Sequence, residues 1–411
     1  MKYYLIGEKL SHSYSKPIHN LLGGYEYELK CLSLQELDDF FIKKEFKGLN
    51  VTIPYKKAVL KYCNTLSQSA RKIGSVNTIT VEKDGSLKGH NTDYVGFLYM
   101  AKRAGIEFHG KKVLILGTGG AGITAAAAAE DNRASQVVFV SRNGSVNYEN
   151  IYEHINSDII VNTTPVGMYP KNGERLIDLA RFINCSGVID VIYNPLKTLF
   201  LIDAQKLGVP FTNGLSMLVA QAKYANDLFL DKTTPDEIIE QIYAKTVSGM
   251  KNIVFVGMPG SGKTTIGKIT AKMLDRKFID TDELIEQETG MDIKEIFSRF
   301  GEKHFRELEV RAVANACKQL GVVIATGGGA ILRQDNTTAI RQNSFTVFLE
   351  RDINSLATEG RPLSKNLKSI DEMYNQRKGF YESVCDFKIS QSKPEIIAQE
   401  VVEKYNENTC D

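Results

Sequence analysis

Short apolar runs recur along this chain, and each is followed by a polar or glycine-rich turn and then by a stretch with helical spacing. Apolar runs of this kind, bounded by turns, are typical of strands buried in parallel sheets. We predict strands at Lys2–Ile6, Lys111–Leu116, Gln136–Val140, Asp158–Val161, Val188–Ile192, Asn252–Val256 and Val322–Thr326. Strands that alternate with helices, such as the alanine-rich segment Ile123–Glu130, indicate doubly wound α/β domains.

The composition indicates a folded chain with more than one domain. Of its 411 residues, 43% are hydrophobic and 24% charged, so two or three domains can each bury a core. The 51 basic and 49 acidic residues nearly balance, which gives no indication of a nucleic-acid or membrane partner. Six scattered cysteines without a C-x-x-C pair, and the lack of a long apolar segment, predict a cytoplasmic protein with reduced thiols.

A phosphate-binding pattern lies in mid-chain, directly after the predicted strand Asn252–Val256. Gly257-Met-Pro-Gly-Ser-Gly-Lys-Thr-Thr265 fits G-x-x-x-x-G-K-T. The glycines allow backbone N–H groups to close on phosphate oxygens, while Lys263 reaches the outer phosphates and Thr264 can bind magnesium. The alternative is a glycine-rich turn without a ligand, but the Lys-Thr pair and the flanking strand both fit a site for a nucleoside triphosphate.

A second nucleotide-binding pattern follows the strand Lys111–Leu116. Gly117, Gly119 and Gly122 form G-x-G-x-x-G between this strand and the alanine-rich helix, which is the setting of a dinucleotide site. The next strand ends in Ser141-Arg142, where NAD sites usually carry an acid that holds the ribose 2′-hydroxyl. An arginine here favours the 2′-phosphate of NADP, and a solvated arginine at a strand end is the alternative.

Polar side chains lie at the ends of predicted elements in the first hundred residues. Ser13 and Ser15 precede a helix, where small hydroxyl side chains cap the helix or bind a polar ligand, and capping is the more common role. Further polar residues at or just beyond strand ends are Asn50, Thr52, Lys56, Asn77 and Asp93. Each motif is weak alone, and a lysine at such a position is usually a surface charge. Their order and spacing together are specific.

Over about the first 245 residues, these motifs resemble those of shikimate dehydrogenases. They are HSYS at 12–15, NVTIPYK at 50–56, VNT at 76–78, NTD at 91–93, GTGGAG at 117–122, NTTPVGM at 162–168 and GLSMLVAQA at 214–222. The resemblance implies that Lys56 and Asp93 are the catalytic pair. It implies that the substrate is bound by Ser13, Ser15, Thr52, Asn77, Asp93, Tyr193 and Gln221. It implies an NADPH site at Gly117, Thr118, Gly119, Gly120, Ala121, Ser141, Arg142, Val191 and Gly214.

Two departures from the family pattern bear on the structure. The first motif of the family usually has proline directly after its second serine, whereas here Lys16 precedes Pro17. Arg142 and Asn162 are only 20 positions apart, which is too short for the helix and strand expected between them. We therefore predict a trimmed Rossmann-like sheet and an altered wall on the adenine side of the NADP pocket.

Charged residues follow the phosphate loop at informative spacings. Asp280 and Asp282 are two apart on a predicted strand, so we expect them to face the same way. Arg306 and Glu309 are three apart on a predicted helix, where ion pairs between neighbours are common. The next buried strand ends without an aspartate, which leaves Thr264 and Asp280 to hold magnesium.

Across about 250–411, the chain resembles shikimate kinases. The matching elements are GMPGSGKTT, DTD at 280–282, the FGEKHFRELE run, ATGGG at 325–329, RPL at 361–363 and R-x-x-x-Y at 377–381. The resemblance implies that ATP is bound by Gly260, Ser261, Gly262, Lys263, Thr264 and Thr265, with Mg²⁺ on Thr264 and Asp280. It implies that shikimate is bound by Asp282, Arg306, Gly328 and Arg377, with the arginines on its carboxylate. Lys263, Asp282 and Arg361 would be catalytic, although 355–360 lacks the arginine expected against adenine.

Together, the two resemblances imply an α/β chain with a two-domain shikimate dehydrogenase-like half followed by a P-loop domain like that of nucleoside monophosphate kinases. We expect a substrate domain at 1–100 plus 214–246, a trimmed Rossmann-like NADP domain at 101–213, a linker at 247–251 and a kinase domain at 252–411. The helix before the linker is predicted to begin near Thr234 and to end at about Lys245, because Thr234-Pro-Asp-Glu237 fits a capping box.

The main hypothesis is a bifunctional enzyme of the shikimate pathway that acts on small molecules. NADPH would reduce 3-dehydroshikimate in the first half, and ATP with Mg²⁺ would phosphorylate the new hydroxyl in the second. Two alternatives stay open. One is an oxidoreductase of quinate or a related ring acid fused to another small-molecule kinase, and the other is a nucleotide-sensing protein with degenerate sites.

Overall fold

The computed structural model describes residues 2–10, 13–352, 367–390 and 393–410. It divides into two compact units. The first comprises Met1–Asn194 and Thr198–Tyr243, and the second comprises Pro195–Lys197 and Ala244–Asp411. Within the described ranges, no helix combines the length and apolar character needed to cross a membrane.

A mixed six-stranded sheet and four helices form the start of the first unit. The strands are β1 (Lys2–Gly7), β2 (Tyr27–Cys31), β3 (Phe46–Val51), β4 (Thr65–Leu66), β5 (Thr78–Val81) and β6 (Leu87–His90), and the helices are α1 (Ser15–Leu22), α2 (Leu34–Lys43), α3 (Gln68–Ile73) and α4 (Thr92–Arg103). The strand order is β2-β1-β3-β5-β6-β4, with β5 antiparallel to both of its neighbours. The Val76 N–H donates to the Lys56 carbonyl at 2.8 Å, so the segment after β3 lies beside the start of β5.

A five-stranded parallel sheet follows in the same unit. Its strands are β7 (Lys112–Leu116), β8 (Gln136–Val140), β9 (Ile159–Asn162), β10 (Gly187–Asp190) and β11 (Phe211–Thr212), with helices α5 (Gly120–Asp131) and α6 (Leu199–Lys206). The order is β11-β10-β9-β7-β8, which makes β8 an edge strand. The connection from β8 to β9 contains only a short 3-10 helix, Ile151–His154, whose Ile151 is buried in the core. The trimmed Rossmann-like sheet predicted from the short spacing is therefore confirmed.

Two further helices, α7 (Leu215–Phe229) and α8 (Glu237–Met250), follow this sheet. Helix α7 crosses α4 at close range because position 96 is glycine: a Cβ atom there would lie 2.8 Å from the Met217 carbonyl oxygen. Residues 247–250, which were expected to belong to a linker, are helical, since α8 continues to Met250. Val247 and Met250 are three residues apart and both buried, so the helical spacing of apolar residues extends beyond the expected end at Lys245.

The second unit is built on a five-stranded parallel sheet. Its strands are β12 (Asn252–Val256), β13 (Phe278–Asp280), β14 (Val323–Ala325), β15 (Ser344–Glu350) and β16 (Phe387–Ser390), and its helices are α9 (Lys263–Met273), α10 (Thr281–Thr289), α11 (Ile293–Cys317), α12 (Gln334–Asn343), α13 (Leu367–Val384) and α14 (Pro394–Cys410). The order β13-β14-β12-β15-β16 puts β12 in the centre. The phosphate loop that follows β12 therefore lies at the middle of the sheet's carboxyl edge, next to the loops after β13 and β14.

Candidate active sites

The predicted catalytic pair of the first unit is formed. Lys56 Nζ and Asp93 Oδ2 are 2.5 Å apart, and 27% and 16% of the two side chains are exposed. Asp93 lies in the first turn of α4, and Lys56 lies in the turn after β3. A partly exposed ammonium in contact with a carboxylate can donate a proton to a bound ligand and remain held in place.

A buried network of hydrogen bonds fixes the start of α4, which carries Asp93. Asn77 Oδ1 accepts from the Thr92 N–H at 2.7 Å, and Asn77 Nδ2 donates to Thr92 Oγ1 at 3.1 Å. Thr78 joins this network through Thr92, and Asn50 donates to Thr78 Oγ1 at 3.0 Å. Sequence reasoning selected Asn77 but not Thr92, although Thr92 belongs to the NTD motif, because the motif does not show which side chain faces Asn77.

The structure brings the segment Ser13–Ser15 to the residues after β10. The rings of Tyr14 and Tyr193 meet edge to face at 6.1 Å between their centroids. Ser13 Oγ accepts from the Ser15 N–H at 3.2 Å, while α1 begins after Tyr14 without a side-chain cap. The Ser13 hydroxyl thus satisfies the N–H group of the first residue of α1, as capping side chains do, and substrate binding by Ser13, Ser15 and Tyr193 stays a prediction.

Thr52 and Gln221 lie at close-packed places of the first unit. A Cβ atom at Gly7 would lie 2.7 Å from Thr52 Cγ2, so Thr52 packs over the end of β1. Gln221 Nε2 donates to the Leu218 carbonyl of its own helix at 2.9 Å, and 9% of the residue is exposed. With Nε2 engaged in this way, Gln221 Oε1 is the atom that can bind a ligand. Substrate binding by Thr52 and Gln221 stays a prediction.

The glycine loop after β7 has the backbone of a dinucleotide site. Gly117 has a φ of 111°, and Gly119 is the N-cap of α5 without a side-chain cap. A Cβ atom at Gly122 would lie 2.4 Å from the Gly117 carbonyl oxygen, so the helix packs directly on the loop. Thr118, Gly119 and Gly120 are exposed, which leaves the N–H groups at the helix start open to a phosphate.

Two other parts of the expected NADP site lie beside this loop in the sheet. Arg142 is exposed in the turn after the edge strand β8, and its positive charge opposes the burial that raises the pKa of Tyr148. Tyr148 lies in the trimmed connection between β8 and β9. Val191 follows β10, and a Cβ atom at Gly214 would lie 2.0 Å from its carbonyl oxygen, so only glycine fits at position 214.

In the second unit, the phosphate loop is shaped for an anion. Gly257, Gly260 and Gly262 have φ values of 150°, 84° and 94°. Lys263 begins α9, and its Nζ donates to the carbonyl oxygens of Gly257 and Met258, each at 2.9 Å. A lysine held over the loop in this way is poised above the place of the outer phosphates.

The two expected magnesium ligands are in contact. Thr264 Oγ1 donates to Asp280 Oδ2 at 2.7 Å. A hydroxyl and a carboxylate oxygen beside a phosphate loop are the ligand types that Mg²⁺ prefers, so the residues fit this ion.

Asp282 differs from its expected placement. Asp280 ends β13 and caps α10, whereas Asp282 lies in the first turn of that helix and donates its N–H to Asp280 Oδ1 at 3.0 Å. The expectation that both acids lie on one strand is wrong because the chain turns into a helix at Thr281. Burial first, and then the charges of Asp280 and Glu309, raise the pKa of Asp282 to about 7. A carboxyl group with such a pKa is suited to accept a proton near neutral pH.

Two arginines lie in the same cavity as the phosphate loop. Arg306 donates to Glu309 Oε2 and to Glu302 Oε1, each at 2.9 Å, and Arg377 Nη1 donates to the Gly328 carbonyl at 3.2 Å. Glu309 is completely buried, so its charge fixes Arg306 rather than forming a surface ion pair. Sequence reasoning predicted the pairing with Glu309 and missed Glu302, which is one helical turn before Arg306 in the same motif.

The cavity has a volume of about 770 Å³ and continues from the phosphate loop to the two arginines. Its lining includes Gly260, Gly262, Lys263, Thr264, Thr265, Asp280, Asp282, Arg306, Gly328 and Arg377. These ten predicted site residues therefore share one space large enough for a nucleotide and a small acid, whereas Ser261 is buried and does not line it. Arg361, the predicted catalytic arginine, lies outside the described residues, as does 355–360.

The first unit is therefore an oxidoreductase of the two-domain Rossmann type, and the second unit is a P-loop domain whose cavity contains two arginines. Residues 5–79 match the family of the shikimate dehydrogenase substrate binding domain, and residues 259–406 match the shikimate kinase family. The chain is 36% identical over 269 residues to the shikimate dehydrogenase (NADP(+)) of Clostridium perfringens (strain 13 / Type A). This match covers 58% of this chain and 97% of the relative. The chain belongs to the shikimate dehydrogenase family, with a shikimate kinase domain fused after the dehydrogenase part.

Solved structures support the fold of the dehydrogenase half. A chorismate mutase/shikimate 5-dehydrogenase fusion protein from Clostridium acetobutylicum superposes with a TM-score of 0.55 at 39% identity, covering 58% of this chain and 94% of its own. Shikimate 5-dehydrogenase from Listeria monocytogenes, solved in complex with shikimate and NAD, gives a TM-score of 0.53 at 30% identity, with coverages of 59% and 96%. Both matches cover nearly all of the neighbour's chain.

Proposed function

We propose that the chain catalyses two successive steps of the shikimate pathway. The first unit reduces 3-dehydroshikimate to shikimate with NADPH, and the second unit transfers the γ-phosphoryl group of ATP to the 3-hydroxyl of shikimate. The observation that carries the proposal is the presence, in one chain, of the Lys56–Asp93 pair and of a phosphate-loop cavity that contains Asp282, Arg306 and Arg377.

In the reduction, the hydride of NADPH adds to the ketone carbon, and the carbonyl oxygen becomes an alkoxide. The Lys56 ammonium stabilises this negative charge and donates a proton to the oxygen, while Asp93 holds the ammonium in position. Lys56 then regains a proton from solvent, so the products are the alcohol and NADP⁺. Ser13, Ser15, Thr52, Asn77, Tyr193 and Gln221 are proposed to bind the carboxylate and hydroxyls of the ring acid.

In the phosphorylation, Asp282 accepts the proton of the attacking hydroxyl. Arg306 and Arg377 hold the carboxylate of the acid, and Lys263 neutralises the outer phosphates. Mg²⁺, bound by Thr264 and Asp280, would screen the charge of the phosphate oxygens. Gly328, whose carbonyl accepts a hydrogen bond from Arg377, is proposed to lie beside the carboxylate of the bound acid. Closure by Arg361 remains part of the proposal on the strength of the family resemblance alone.

The proposed ligands are small molecules, without a nucleic-acid or membrane partner. The near balance of 51 basic and 49 acidic residues supports this view. We also propose a cytoplasmic location, which is supported by the free cysteines Cys31, Cys63, Cys185 and Cys385.

Assays of the two half-reactions test this proposal. NADPH consumption should depend on 3-dehydroshikimate, and ADP formation should depend on shikimate. Oxidation of shikimate and of quinate with NADP⁺ should be compared in parallel, since a clear preference for quinate would assign the first unit to the alternative substrate. Tight binding of NADPH and ATP without either turnover would instead support a nucleotide sensor.

A further inference from the structure

The side chain of Asp190 is a buried acid that the proposed chemistry does not use. Asp190 ends β10 and is completely buried. Its Oδ1 accepts from Asn162 Nδ2 and from the Ile192 N–H, each at 3.0 Å, and its Oδ2 accepts from Thr198 Oγ1 at 2.6 Å. A buried carboxylate is costly unless it is satisfied in this way, and one that is satisfied holds its partners firmly.

The first of these hydrogen bonds leads to the glycine loop of the NADP site. Asn162 ends β9, and its Oδ1 accepts from the Thr164 N–H at 3.0 Å and from Thr164 Oγ1 at 2.8 Å. Between them, Thr163 Oγ1 donates to the Leu116 carbonyl at 2.8 Å. A Cβ atom at Gly117 would lie 2.8 Å from the same Oγ1, so the loop after β9 packs on the glycine loop.

The hydrogen bond from the Ile192 N–H to Asp190 fixes the segment after β10. The Val191 N–H donates to the Asn162 carbonyl at 3.0 Å, and the Gly214 N–H donates to the Ile192 carbonyl at 3.0 Å. Val191 and Gly214 are both expected NADP contacts. The Asp190 carboxylate thus joins two loops through one oxygen atom, Oδ1.

These loops lie where the strand order of the sheet reverses. From β7 the chain proceeds to β8 on one side, and β9, β10 and β11 extend the sheet on the other. Ligands of such sheets bind at the carboxyl ends of the strands beside this switch point. The loops after β7, β9 and β10 are therefore the walls of the crevice for a dinucleotide.

We propose that Asp190 is a positioning residue for NADPH, because its carboxylate holds the loops after β9 and β10 in the arrangement that forms one wall of the cofactor crevice. This inference rests on the proposed function of the first unit. Burial raises the pKa of Asp190 to about 6, and the hydrogen bonds from Thr198, Ile192 and Asn162 oppose this shift. The group is therefore ionised at neutral pH and accepts all three hydrogen bonds.

Asp190→Asn tests the inference in the full-length chain. The amide has nearly the same shape but carries no charge, so the hydrogen bonds that Oδ1 accepts from Asn162 and the Ile192 N–H lose their charge assistance, and an NH₂ group replaces the oxygen that accepts from Thr198. We expect the Kd for NADPH, measured by fluorescence titration, to rise about tenfold, because the two loops lose hydrogen bonds to a charged group. The KM for NADPH should rise by a similar factor, with kcat at saturating NADPH within about twofold of the wild type. Asp190→Ala should weaken binding further.

Asp158→Asn is the matched control. Asp158 precedes β9, at the opposite end of the same sheet, and its Oδ2 accepts from the Lys112 N–H at 2.8 Å. This variant loses a comparable hydrogen bond and should bind NADPH as the wild type does. A folded Asp190→Asn protein whose Kd and KM for NADPH equal those of the control overturns the inference. Failure of the wild type itself to bind NADPH would overturn the proposed function as well, which separates the two outcomes.

Discussion

At the scale of single residues, the proposed reduction depends on Lys56 and Asp93, which are in contact. Removal of the ammonium by Lys56→Ala should lower kcat/KM for 3-dehydroshikimate by about 10²–10⁴, the usual contribution of a positioned acid. Phosphorylation of shikimate by the same protein should be unchanged. The loss of NADPH absorbance and the formation of ADP measure the two activities separately.

Lys57→Ala is the control for this variant, because Lys57 is the next residue and is exposed. It should retain both activities. Equal loss of reduction in Lys56→Ala and Lys57→Ala, or loss of phosphorylation in folded Lys56→Ala, would contradict the assignment.

The phosphorylation should depend on pH through Asp282. Burial and neighbouring acids raise its pKa to about 7, so the group is protonated below this pH and ionised above it. Only the ionised form accepts the proton of the hydroxyl. With both substrates limiting, the rate should fall about tenfold per pH unit below about pH 7 and level off above it. A rate that stays flat from about pH 6 to about pH 8 would show that Asp282 is not the base.

Single residues were predictable where a motif fixes both type and role. Lys56 and Asp93 were named from the sequence as a pair, and the structure brings them into contact. Thr264 and Asp280 were named as ligands of one ion, and in the structure they are hydrogen-bonded to each other. Contacts between residues that are distant in the sequence, such as that of Thr92 with Asn77, cannot be predicted from a local sequence pattern. The buried Asp190 was missed for the same reason, since its donor Asn162 belongs to the neighbouring strand and is 28 positions away.

Helix α5 and its glycine loop show how close packing supports the cofactor site at the scale of elements. A Cβ atom at Gly122 would lie 2.4 Å from the Gly117 carbonyl oxygen, so Gly122→Ala must displace the helix from the loop. We expect the Kd for NADPH to rise at least tenfold, with a loss of stability of about 1–3 kcal/mol from overpacking. Fluorescence titration and thermal unfolding measure the two effects.

Gly173→Ala serves as its control, because a Cβ atom at Gly173 would meet nothing within 4 Å. This change should leave NADPH binding unaltered. NADPH binding by Gly122→Ala that equals the binding by Gly173→Ala would show that the contact between helix and loop does not shape the site.

Secondary-structure elements were predicted correctly where the spacing of residues along the chain was enough to determine them. The 20 positions between Arg142 and Asn162 were enough to predict the shortened connection after β8. The continuation of α8 to Met250 was not predicted, because the short segment after Lys245 contains Ser and Gly and looked like a linker between domains. The structure shows that Val247 and Met250 of this segment are buried. The placement of Asp282 on α10 was missed since β13 is only three residues long.

At the scale of the whole molecule, the chain contains two units that each hold a complete set of predicted catalytic groups among their described residues, apart from Arg361 in the second. The Lys56–Asp93 pair belongs to the first unit, and the phosphate-loop cavity is lined entirely by residues of the second. Each activity therefore has its own machinery. The account further requires that the product of the first unit is the substrate of the second.

Transfer of deuterium through both reactions tests this central claim most directly. The full-length protein is incubated with 3-dehydroshikimate, NADPH deuterated at both C4 positions, and unlabelled ATP with Mg²⁺. The account predicts shikimate 3-phosphate that carries deuterium on C3, because the hydride adds to the carbon whose oxygen is then phosphorylated. When ATP is omitted, mass spectrometry should find no deuterated shikimate 3-phosphate. Consumption of NADPH and ATP without a labelled shikimate 3-phosphate would contradict the account.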